Sequence, residues 1–405
     1  MEKLKKSIKG ITIISLVITI IVLLILSGVA INLSLGQEGI FKKAKNATEK
    51  YANASNNEIK EINNFSNTIE NYINDYMNEN EEDKPIKVES TLDLVNGEEK
   101  TNTEVNDSLG NKVVVPAGFK IINPEKNVTD GIIIQDVQAG DDISKGNEYV
   151  WVPVGKININ ENGESVNIEL GRYTFDTDGK ETLHQTSSEY EKEVIIQEYY
   201  VETIEDKFGN AVPENLGKFV ISVEKYGGFY IGRYEVGANE ASEKRVFQVD
   251  TSHMDSTPVV KSNKWPYTFV NQKDASILSR QMYDNNKENY SSDLINSYAW
   301  DTTISFIQKC SDNKTYSQSG SLQTILTTTG NSKDANNNKD VVCNIYDLAG
   351  NSYEYSTEIS LYGTNNIIVR GGGYTGNSPS TSRFSRGVTT SVEVRSFRTI
   401  IYLEV

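Results

Sequence analysis

Two carboxylates, Asp347 and Glu354, lie seven residues apart in the sequence, with a glycine between them. Together with the intervening main-chain carbonyls they could wrap a hard cation, because calcium takes about six to eight oxygen ligands of these kinds. A purely structural interpretation stays open. Asp347 and Gly350 are typical residues of a tight turn, and the alternate residues Tyr353 and Tyr355 would then face a core.

Cysteine and histidine, common side chains for nucleophilic and metal chemistry, are scarce. The only cysteines are Cys310 and Cys343, and the only histidines are His184 and His253. Two cysteines exclude a disulfide-rich scaffold and a multi-cysteine zinc site, although one disulfide between them stays open outside the cell. Two histidines leave almost no material for a histidine metal site or a Ser-His-Asp triad, and we expect both on the surface.

The charge balance indicates which partners the chain avoids. It has 40 Lys and Arg residues against 56 Asp and Glu residues, a formal net charge of -16. Proteins that bind nucleic acid present basic surfaces to its phosphates. We therefore expect no nucleic-acid partner, and the composition suits a solvated surface protein.

The N-terminal segment predicts on which side of the membrane the rest of the chain lies. Residues 1–10 are basic, with lysines at positions 3, 5, 6 and 9, and residues 11–31 are an uncharged, almost wholly apolar run. About 20 apolar residues suffice for a helix to cross a bilayer, and the lysines keep the N-terminal end in the cytoplasm. The sequence therefore predicts a transmembrane helix and a single-pass protein of the cell membrane with its C-terminal domain extracellular.

Three interpretations of this segment stay open. Gly28-Val29-Ala30 is a small-x-small triplet that signal peptidase accepts, and a plain membrane anchor needs no cleavage. The third interpretation uses the boundary between Gly10 and Ile11, where charge ends and the apolar run begins. It resembles the leader of type IV prepilins, which implies prepilin peptidase as a partner, methylation of Ile11 and other pilin-like subunits. Pilins carry a glutamate where this chain has Ser15, so the resemblance predicts a leader without predicting a filament.

Downstream patterns divide the rest of the chain. Apolar spacings of three and four predict an amphipathic stem helix over residues 32–77, and residues 78–110 read as an acidic linker. A small β-rich segment follows over residues 111–145. Residues 146–405 combine short apolar runs with helices predicted at Gln272–Asn285 and Ala299–Lys309 and a strand at Phe219–Val223. The expected fold class is α+β, with a long N-terminal transmembrane and stem helix before an irregular domain.

Three short stretches carry a family resemblance. They are residues 227–236 (GGFYIGRYEV), residues 344–355 (NIYDLAGNSYEY) and residues 369–374 (VRGGGY), the last closed by Arg386 and Ser396-Phe397-Arg398. Together they resemble the formylglycine-generating enzyme (sulfatase-modifying factor) family, which implies a C-type-lectin-like fold over residues 146–405. The resemblance also implies a calcium ion, with its ligands at Asp347, Gly350, Ser352 and Glu354.

The same resemblance argues against catalysis. The family's enzymes use two cysteines after the third stretch, and by spacing their places here are Gly376 and Thr381, which offer no thiolate. The family's cysteine-free branch, active in ergothioneine-type sulfoxide synthesis, needs histidine iron ligands that this sequence cannot supply. We therefore expect no formylglycine-generating activity.

A binding role is the remaining expectation. Loops on a rigid scaffold commonly carry recognition, and residues 374–386 have the Ser, Thr, Asn, Tyr and Arg content of adaptable binding surfaces. The competing interpretation is that residues 374–386 are a plain solvated loop. The loop over residues 311–338 is expected beside this stretch. The predicted ligand-binding residues are Tyr374, Asn377, Ser380, Arg383 and Arg386. The sequence thus favours a membrane-anchored, pilin-like surface protein with a non-catalytic lectin-like domain for an unknown extracellular ligand; a minor pilin or pseudopilin of a filament is the alternative.

Overall fold

The computed structural model describes residues 20–24, 88–137, 145–184, 195–198, 216–243, 256–284, 288–321, 323–334, 336–360, 366–376, 378–387 and 394–405. For residues 195–198, 360, 366 and 385–387 it describes the backbone alone. The chain divides into two compact units, Met1–Glu82 and Asp83–Val405. Of the first unit, only the helical segment of residues 20–24 is described.

The predicted long N-terminal transmembrane and stem helix is contradicted. No helix in the described part of the chain is both long and apolar enough to cross a membrane. The predicted single-pass membrane location and pilin-like character are therefore not supported. Gly10, Ile11 and residues 32–77 lie outside the described residues.

Strands dominate the second unit. They are β1 Thr103–Asn106, β2 Lys112–Val115, β3 Phe119–Ile121, β4 Ile133–Asp136, β5 Glu148–Pro153, β6 Gly155–Asn158, β7 Ser165–Ile168, β8 Arg172–Phe175, β9 Glu181–His184, β10 Ile195–Glu198, β11 Gly228–Gly232, β12 Gly237–Ala238, β13 Pro258–Val259, β14 Trp265–Pro266, β15 Tyr290–Leu294, β16 Val341–Val342, β17 Ile345–Tyr346, β18 Tyr353–Ser360, β19 Asn366–Arg370, β20 Arg383–Gly387, β21 Arg395–Phe397 and β22 Thr399–Leu403. The α-helices are α1 Leu216–Tyr226, α2 Gln272–Gln281 and α3 Ser297–Cys310, and 3-10 turns lie at Leu92–Leu94, Val128–Asp130 and Tyr316–Gln318.

The described chain is mainly β, so the predicted α+β class with a long N-terminal helix is wrong. The reason lies in the sequence of the second unit. Its apolar runs are short and bounded by turn residues, and a helix needs a longer apolar stripe at 3.6-residue spacing to pack. Among the described residues of the second unit, only the three short helices have one, and strands form most of the core around them.

A six-stranded antiparallel sheet, in the order β15-β22-β11-β5-β4-β3, lies at the centre of the core. Strands β5 and β11 are almost wholly buried, which explains why they read as continuous apolar runs without alternation. Trp151 of β5 packs on Tyr230 of β11 with ring centroids 5.0 Å apart. Helix α1 packs on this sheet through Phe219, whose ring lies 5.3 Å from Phe229 and 5.9 Å from Tyr402.

A second sheet positions the candidate site. Its order is β10-β18-β19-β20, and β21 adds to β18 in the one parallel pairing among the described strands. Strand β18 begins at Tyr353, directly after the turn singled out in the sequence. Its register places Glu354 opposite Arg370 of β19, and Arg370 opposite Arg383 of β20.

Helices α2 and α3 confirm the two helices predicted from residue spacing, within a few residues at their ends. Each begins after an asparagine whose side chain accepts a hydrogen bond from a first-turn amide: Asn271 from Asp274, and Asn296 from Ala299. Such caps satisfy amides that helix geometry leaves without a partner.

The strand predicted at Phe219–Val223 is wrong, because this stretch lies inside α1. Phe219 and Val223 are four residues apart, so they share one buried helical face, while Ile221 is 53% exposed. The central sheet also takes strands from both sides of the predicted boundary after residue 145, because β4 pairs with β5.

Candidate functional site

The turn over residues 347–354 is held by a buried arginine. The guanidinium of Arg398, just after β21, donates from Nε to Glu354 Oε2 at 2.8 Å and from Nη2 to Glu354 Oε1 at 2.5 Å. It also donates to the main-chain oxygens of Gly232, at 2.8 Å, and Tyr346, at 2.9 Å. Both charged side chains are inaccessible to solvent. Strands β11, β17 and β18 therefore meet at one guanidinium.

Three further buried carboxylates surround this pair. Asp347 accepts the amides of Gly330, at 2.5 Å, and Ser332, at 3.2 Å. Asp340 accepts from the amide of Ala349 and the Tyr316 hydroxyl, and Glu235 accepts from the Ser352 amide and the Asn351 side chain. We call the five side chains the acid-rich cluster: Glu235, Asp340, Asp347, Glu354 and Arg398.

The pKa values of the four carboxyl groups in the acid-rich cluster are all raised, with burial as the largest cause. Burial raises the pKa of Asp340 to about 6 and that of Asp347 to about 7, although hydrogen bonds from main-chain amides oppose the rise. Burial also raises the pKa of Glu235 well above its usual value, and the neighbouring carboxylates raise it further. The pKa of Glu354 is raised by burial despite the opposing effect of Arg398.

The two carboxylates among the predicted calcium ligands already have hydrogen-bond partners. Both oxygens of Glu354 are engaged by Arg398, and both oxygens of Asp347 accept main-chain amides. Gly350 lies against Ser321 and Ser332, so close that a Cβ atom would lie 2.6 Å from Ser332 Oγ. Among the described residues, no three His, Cys, Asp or Glu side chains are grouped to hold a metal ion.

A second buried arginine cluster lies on the neighbouring strands. Arg370 Nη2 pairs with Asp301 Oδ1 at 2.5 Å, and its Nη1 pairs with Glu358. Arg383 pairs with the second oxygen of each of the same two acids. We call these four side chains the paired cluster. Burial raises the pKa of Asp301, but the two guanidinium groups outweigh it and lower that pKa below its usual value.

Asn351 joins two loops to the turn. Its side-chain oxygen accepts the amide, at 2.9 Å, and the hydroxyl, at 3.1 Å, of Thr327, and its Nδ2 donates to the Thr327 main-chain oxygen at 3.1 Å. Its own main-chain oxygen accepts the amide of Tyr374 at 2.8 Å. Asn351 thus fixes two loops: the first loop is residues 323–330, and the second loop is residues 371–376 and 378–382.

The second loop lies directly on the turn. A Cβ atom on Gly372 would lie 2.1 Å from the main-chain oxygen of Ala349, and one on Gly373 would lie 2.7 Å from the Tyr353 ring. Only glycine therefore permits this approach of two backbones. At its other end the loop is held by Ser380, whose main-chain oxygen accepts the Trp300 indole N–H at 3.0 Å.

The predicted ligand-binding residues occupy different environments. Tyr374 is half-buried on the second loop, whereas Ser380 is fully buried and donates its hydroxyl to the Tyr316 main-chain oxygen at 2.7 Å. Arg383 belongs to the paired cluster and is 15% exposed. Asn377 lies outside the described residues, and for Arg386 only the backbone, in β20, is described. Of the five, the structure therefore places Tyr374 on the outer face.

The outer face of the two loops carries no charge. Neither residues 323–330 nor residues 371–382 contain Asp, Glu, Lys or Arg, although the whole chain has a formal net charge of -16. Thr324, Thr375 and Ile325 are exposed, Ile325 by 64%, and several further residues are half-buried: Gln323, Thr327, Thr328, Tyr374 and Ser378. The face therefore offers hydroxyl groups, one amide, one phenol ring and one exposed aliphatic side chain.

Both cysteines are unpaired thiols away from this face. Cys310 ends α3, and Cys343 donates to the main-chain oxygen of Thr129. Burial raises the pKa of the Cys310 thiol to about 12 and raises that of Cys343 as well. Neither sulfur is therefore a thiolate at neutral pH, and the thiolate is the reactive form.

Sequence patterns missed the residues that organise the site. Arg398 appears in a motif, but its pairing with Glu354 spans 44 positions and follows from the parallel pairing of β18 with β21. For Asn351 the residue type is a local hint of a turn. Asn enters the left-handed region more readily than most residues, and its φ here is 63°. Nothing in its immediate sequence points to Thr327.

Comparisons with known proteins give no family. No family model matches the chain, and no curated protein matches it. Among solved structures, CarF aligns at 15% identity and a TM-score of 0.30, over 52% of this chain and 95% of its own. PvdO from Pseudomonas aeruginosa aligns at 11% and 0.33, over 64% and 95%, and Treponema denticola variable protein 1 at 10% and 0.32, over 65% and 97%. Similarity at these TM-scores carries no argument about this chain.

Proposed function

We propose that this chain is a non-catalytic binding protein whose recognition surface is the outer face of the first and second loops. The observation that carries the proposal is the clamp at Asn351, which fixes both loops to one buried residue. Loops fixed to a rigid scaffold lose little conformational entropy when they bind, and this favours affinity. The resemblance to formylglycine-generating enzymes, carried by residues 344–355, accords with such a scaffold.

The charge of the face favours an uncharged ligand. An acidic chain repels anions at long range, and a neutral face offers no ion pair to attract cations. Hydroxyl groups, one amide and the Tyr374 ring form hydrogen bonds and ring contacts, and these suit a neutral polar molecule such as an uncharged oligosaccharide.

The chemistry of the buried thiols supports a binding role over a catalytic one. Formylglycine formation requires reactive cysteines, and the second loop contains none. Cys310 and Cys343 are held as neutral thiols by burial.

Direct binding tests the proposal. The full chain is applied to an array of uncharged oligosaccharides and uncharged peptides, beside the double variant Ile325→Ser with Tyr374→Ser. We expect at least one probe to bind the wild type and to lose tenfold or more in affinity with the double variant. Ile221→Ser removes an exposed aliphatic side chain of the same type from α1 and is the matched control. Binding that survives the double variant, or falls equally in the control, contradicts the proposal.

Catalysis is tested separately. The full chain is incubated with a cysteine-containing sulfatase-motif peptide, and the peptide is examined by mass spectrometry. We expect the cysteine to remain unmodified. Appearance of an aldehyde on the peptide would refute the non-catalytic assignment.

A further inference from the structure

The oxygen atoms around the Arg398 guanidinium are of the kinds that calcium uses. They are both carboxylate oxygens of Glu354 and the main-chain oxygens of Gly232 and Tyr346. A bidentate carboxylate and main-chain carbonyls are typical members of a calcium shell. Here all four oxygens accept N–H groups of one guanidinium, so the cation at their centre is a protein side chain.

The Arg398 guanidinium also acts on every carboxyl group of the acid-rich cluster. Its field reaches Glu235, Asp340 and Asp347 as well as Glu354, and it opposes the effect of burial on each of them. Arginine does not deprotonate in proteins, and the Glu354 carboxylate raises the pKa of Arg398 further although burial lowers it. The positive charge is therefore permanent, whereas a bound metal ion can dissociate.

We propose that Arg398 does at this turn what a calcium ion would do: it neutralises Glu354, gathers the surrounding carbonyls and holds the turn over residues 347–354 without a metal. The two loops rest on this turn through Asn351 and Gly372. Their arrangement is then insensitive to calcium. This inference concerns how the turn is held and stands apart from the proposed binding function.

The proposal has a second consequence. Truncating Arg398 to alanine leaves the bidentate carboxylate of Glu354 and two carbonyls around a cavity, with Glu235 and Asp347 nearby. Such a set offers four oxygens to a cation, and water molecules can complete a calcium shell. We therefore expect Arg398→Ala to acquire the divalent-cation dependence that the wild type does not have.

Thermal unfolding of the full chain, in millimolar calcium chloride and in chelator, tests the proposal. We expect the wild type to have the same melting temperature in calcium as in chelator, and we expect Glu354→Gln likewise to show no difference between the two solutions. We expect Arg398→Ala to melt far lower in chelator and to regain several degrees in calcium, because a ligand that binds only the folded state raises stability. Arg370→Ala is the matched control: it removes a buried arginine from the paired cluster but leaves only two carboxylates, which Arg383 still contacts.

Two results would overturn the proposal. One is a calcium-dependent rise in the wild-type melting temperature that Glu354→Gln abolishes. The other is an Arg398→Ala protein that folds and shows no response to calcium. Should Arg398→Ala fail to fold in either solution, the comparison of wild type with Glu354→Gln still decides.

Discussion

The two buried arginine clusters differ in the number of guanidinium groups that they set against their carboxyl groups. The paired cluster sets Arg370 and Arg383 against two carboxylates, whereas the acid-rich cluster sets one arginine against four. Burial acts to raise the pKa of Asp301 in the paired cluster and that of Asp347 in the acid-rich cluster. In the paired cluster the guanidinium groups reverse that effect at Asp301, and in the acid-rich cluster they do not at Asp347. In these two clusters the direction of the carboxyl pKa shift follows the number of guanidinium groups that oppose burial.

The difference has a structural consequence. The paired cluster links three strands of the second sheet, and its guanidinium groups lower the pKa of Asp301. The acid-rich cluster lies beneath the two loops, and there Asp340 and Asp347 have pKa values close to neutrality. We therefore expect the acid-rich cluster to be the one whose stability responds to pH near neutrality.

Removing a guanidinium from the paired cluster should have the largest effect. Arg370→Met leaves Asp301 and Glu358 buried with only Arg383 against them. Breaking a buried ion pair in this way costs about 3–5 kcal/mol of the free energy of unfolding. Urea unfolding followed by tryptophan fluorescence measures it, because the Arg370 guanidinium lies 5.3 Å from the Trp300 ring.

Arg383→Met provides the matched comparison for that loss. Its side chain keeps 15% exposure and water can replace part of the lost interaction, so we expect a smaller destabilisation than for Arg370→Met. Equal stability of Arg370→Met and the wild type would show that the paired cluster does not hold the sheet.

The acid-rich cluster should make stability fall as pH rises. A carboxyl whose pKa is raised in the folded state binds a proton there that the unfolded chain has released. The free energy of unfolding therefore falls through the window from the usual aspartate value to about 7. The slope is about 1.4 kcal/mol per pH unit for each such group. Urea unfolding from pH 5 to pH 8 measures it.

The variants that assign this slope are Asp347→Asn and Asp178→Asn. The first removes one raised carboxyl and should flatten the slope, whereas the second changes an exposed aspartate and should leave the slope unchanged. The slope is the readout, because Asp347→Asn also alters hydrogen bonds to Gly330 and Ser332. Stability that rises between pH 5 and pH 8 is incompatible with protonated acids in the cluster.

The clamp at Asn351 should have an intermediate effect on stability. Asn351→Gly keeps the left-handed backbone but deletes the bonds to Thr327 and Glu235, at a cost of about 1–3 kcal/mol. Asn351→Ala should cost about 1 kcal/mol more, because alanine is strained at this φ. Hydrogen exchange should accelerate at the Thr327 amide in both variants. Unchanged exchange there would mean that the first loop is held elsewhere.

Changes on the outer face should have the smallest effect on stability. Ile325→Ser and Tyr374→Ser alter an exposed and a half-buried side chain, so we expect each to change the free energy of unfolding by less than about 0.5 kcal/mol. Urea unfolding beside the Ile221→Ser control checks this. A loss above about 2 kcal/mol would place either residue in the core and remove it from the recognition surface.

Sequence patterns predicted local features better than distant pairings. The spacing of apolar residues located α2 and α3, because helical periodicity is a property of neighbouring residues. The same reasoning misplaced Phe219–Val223, whose β-branched and aromatic content favours a strand until packing on Phe229 and Tyr402 decides for a helix.

The candidate site shows the same limit. The sequence indicated a turn at residues 347–354 and loops beside it. It could not show that Arg398 engages Glu354, or that Ser380 turns inward to Tyr316, since both contacts depend on how distant segments meet. The membrane helix predicted from the apolar residues 11–31 is also not supported. No described helix is both long and apolar enough to cross a membrane.

The most direct test of the central claim is the affinity of Asn351→Gly for an array oligosaccharide that binds the wild type. The variant should still unfold cooperatively, which shows that the scaffold is intact. If the clamp positions the two loops for recognition, its affinity should fall at least tenfold. Undiminished affinity in a folded Asn351→Gly protein would contradict the claim.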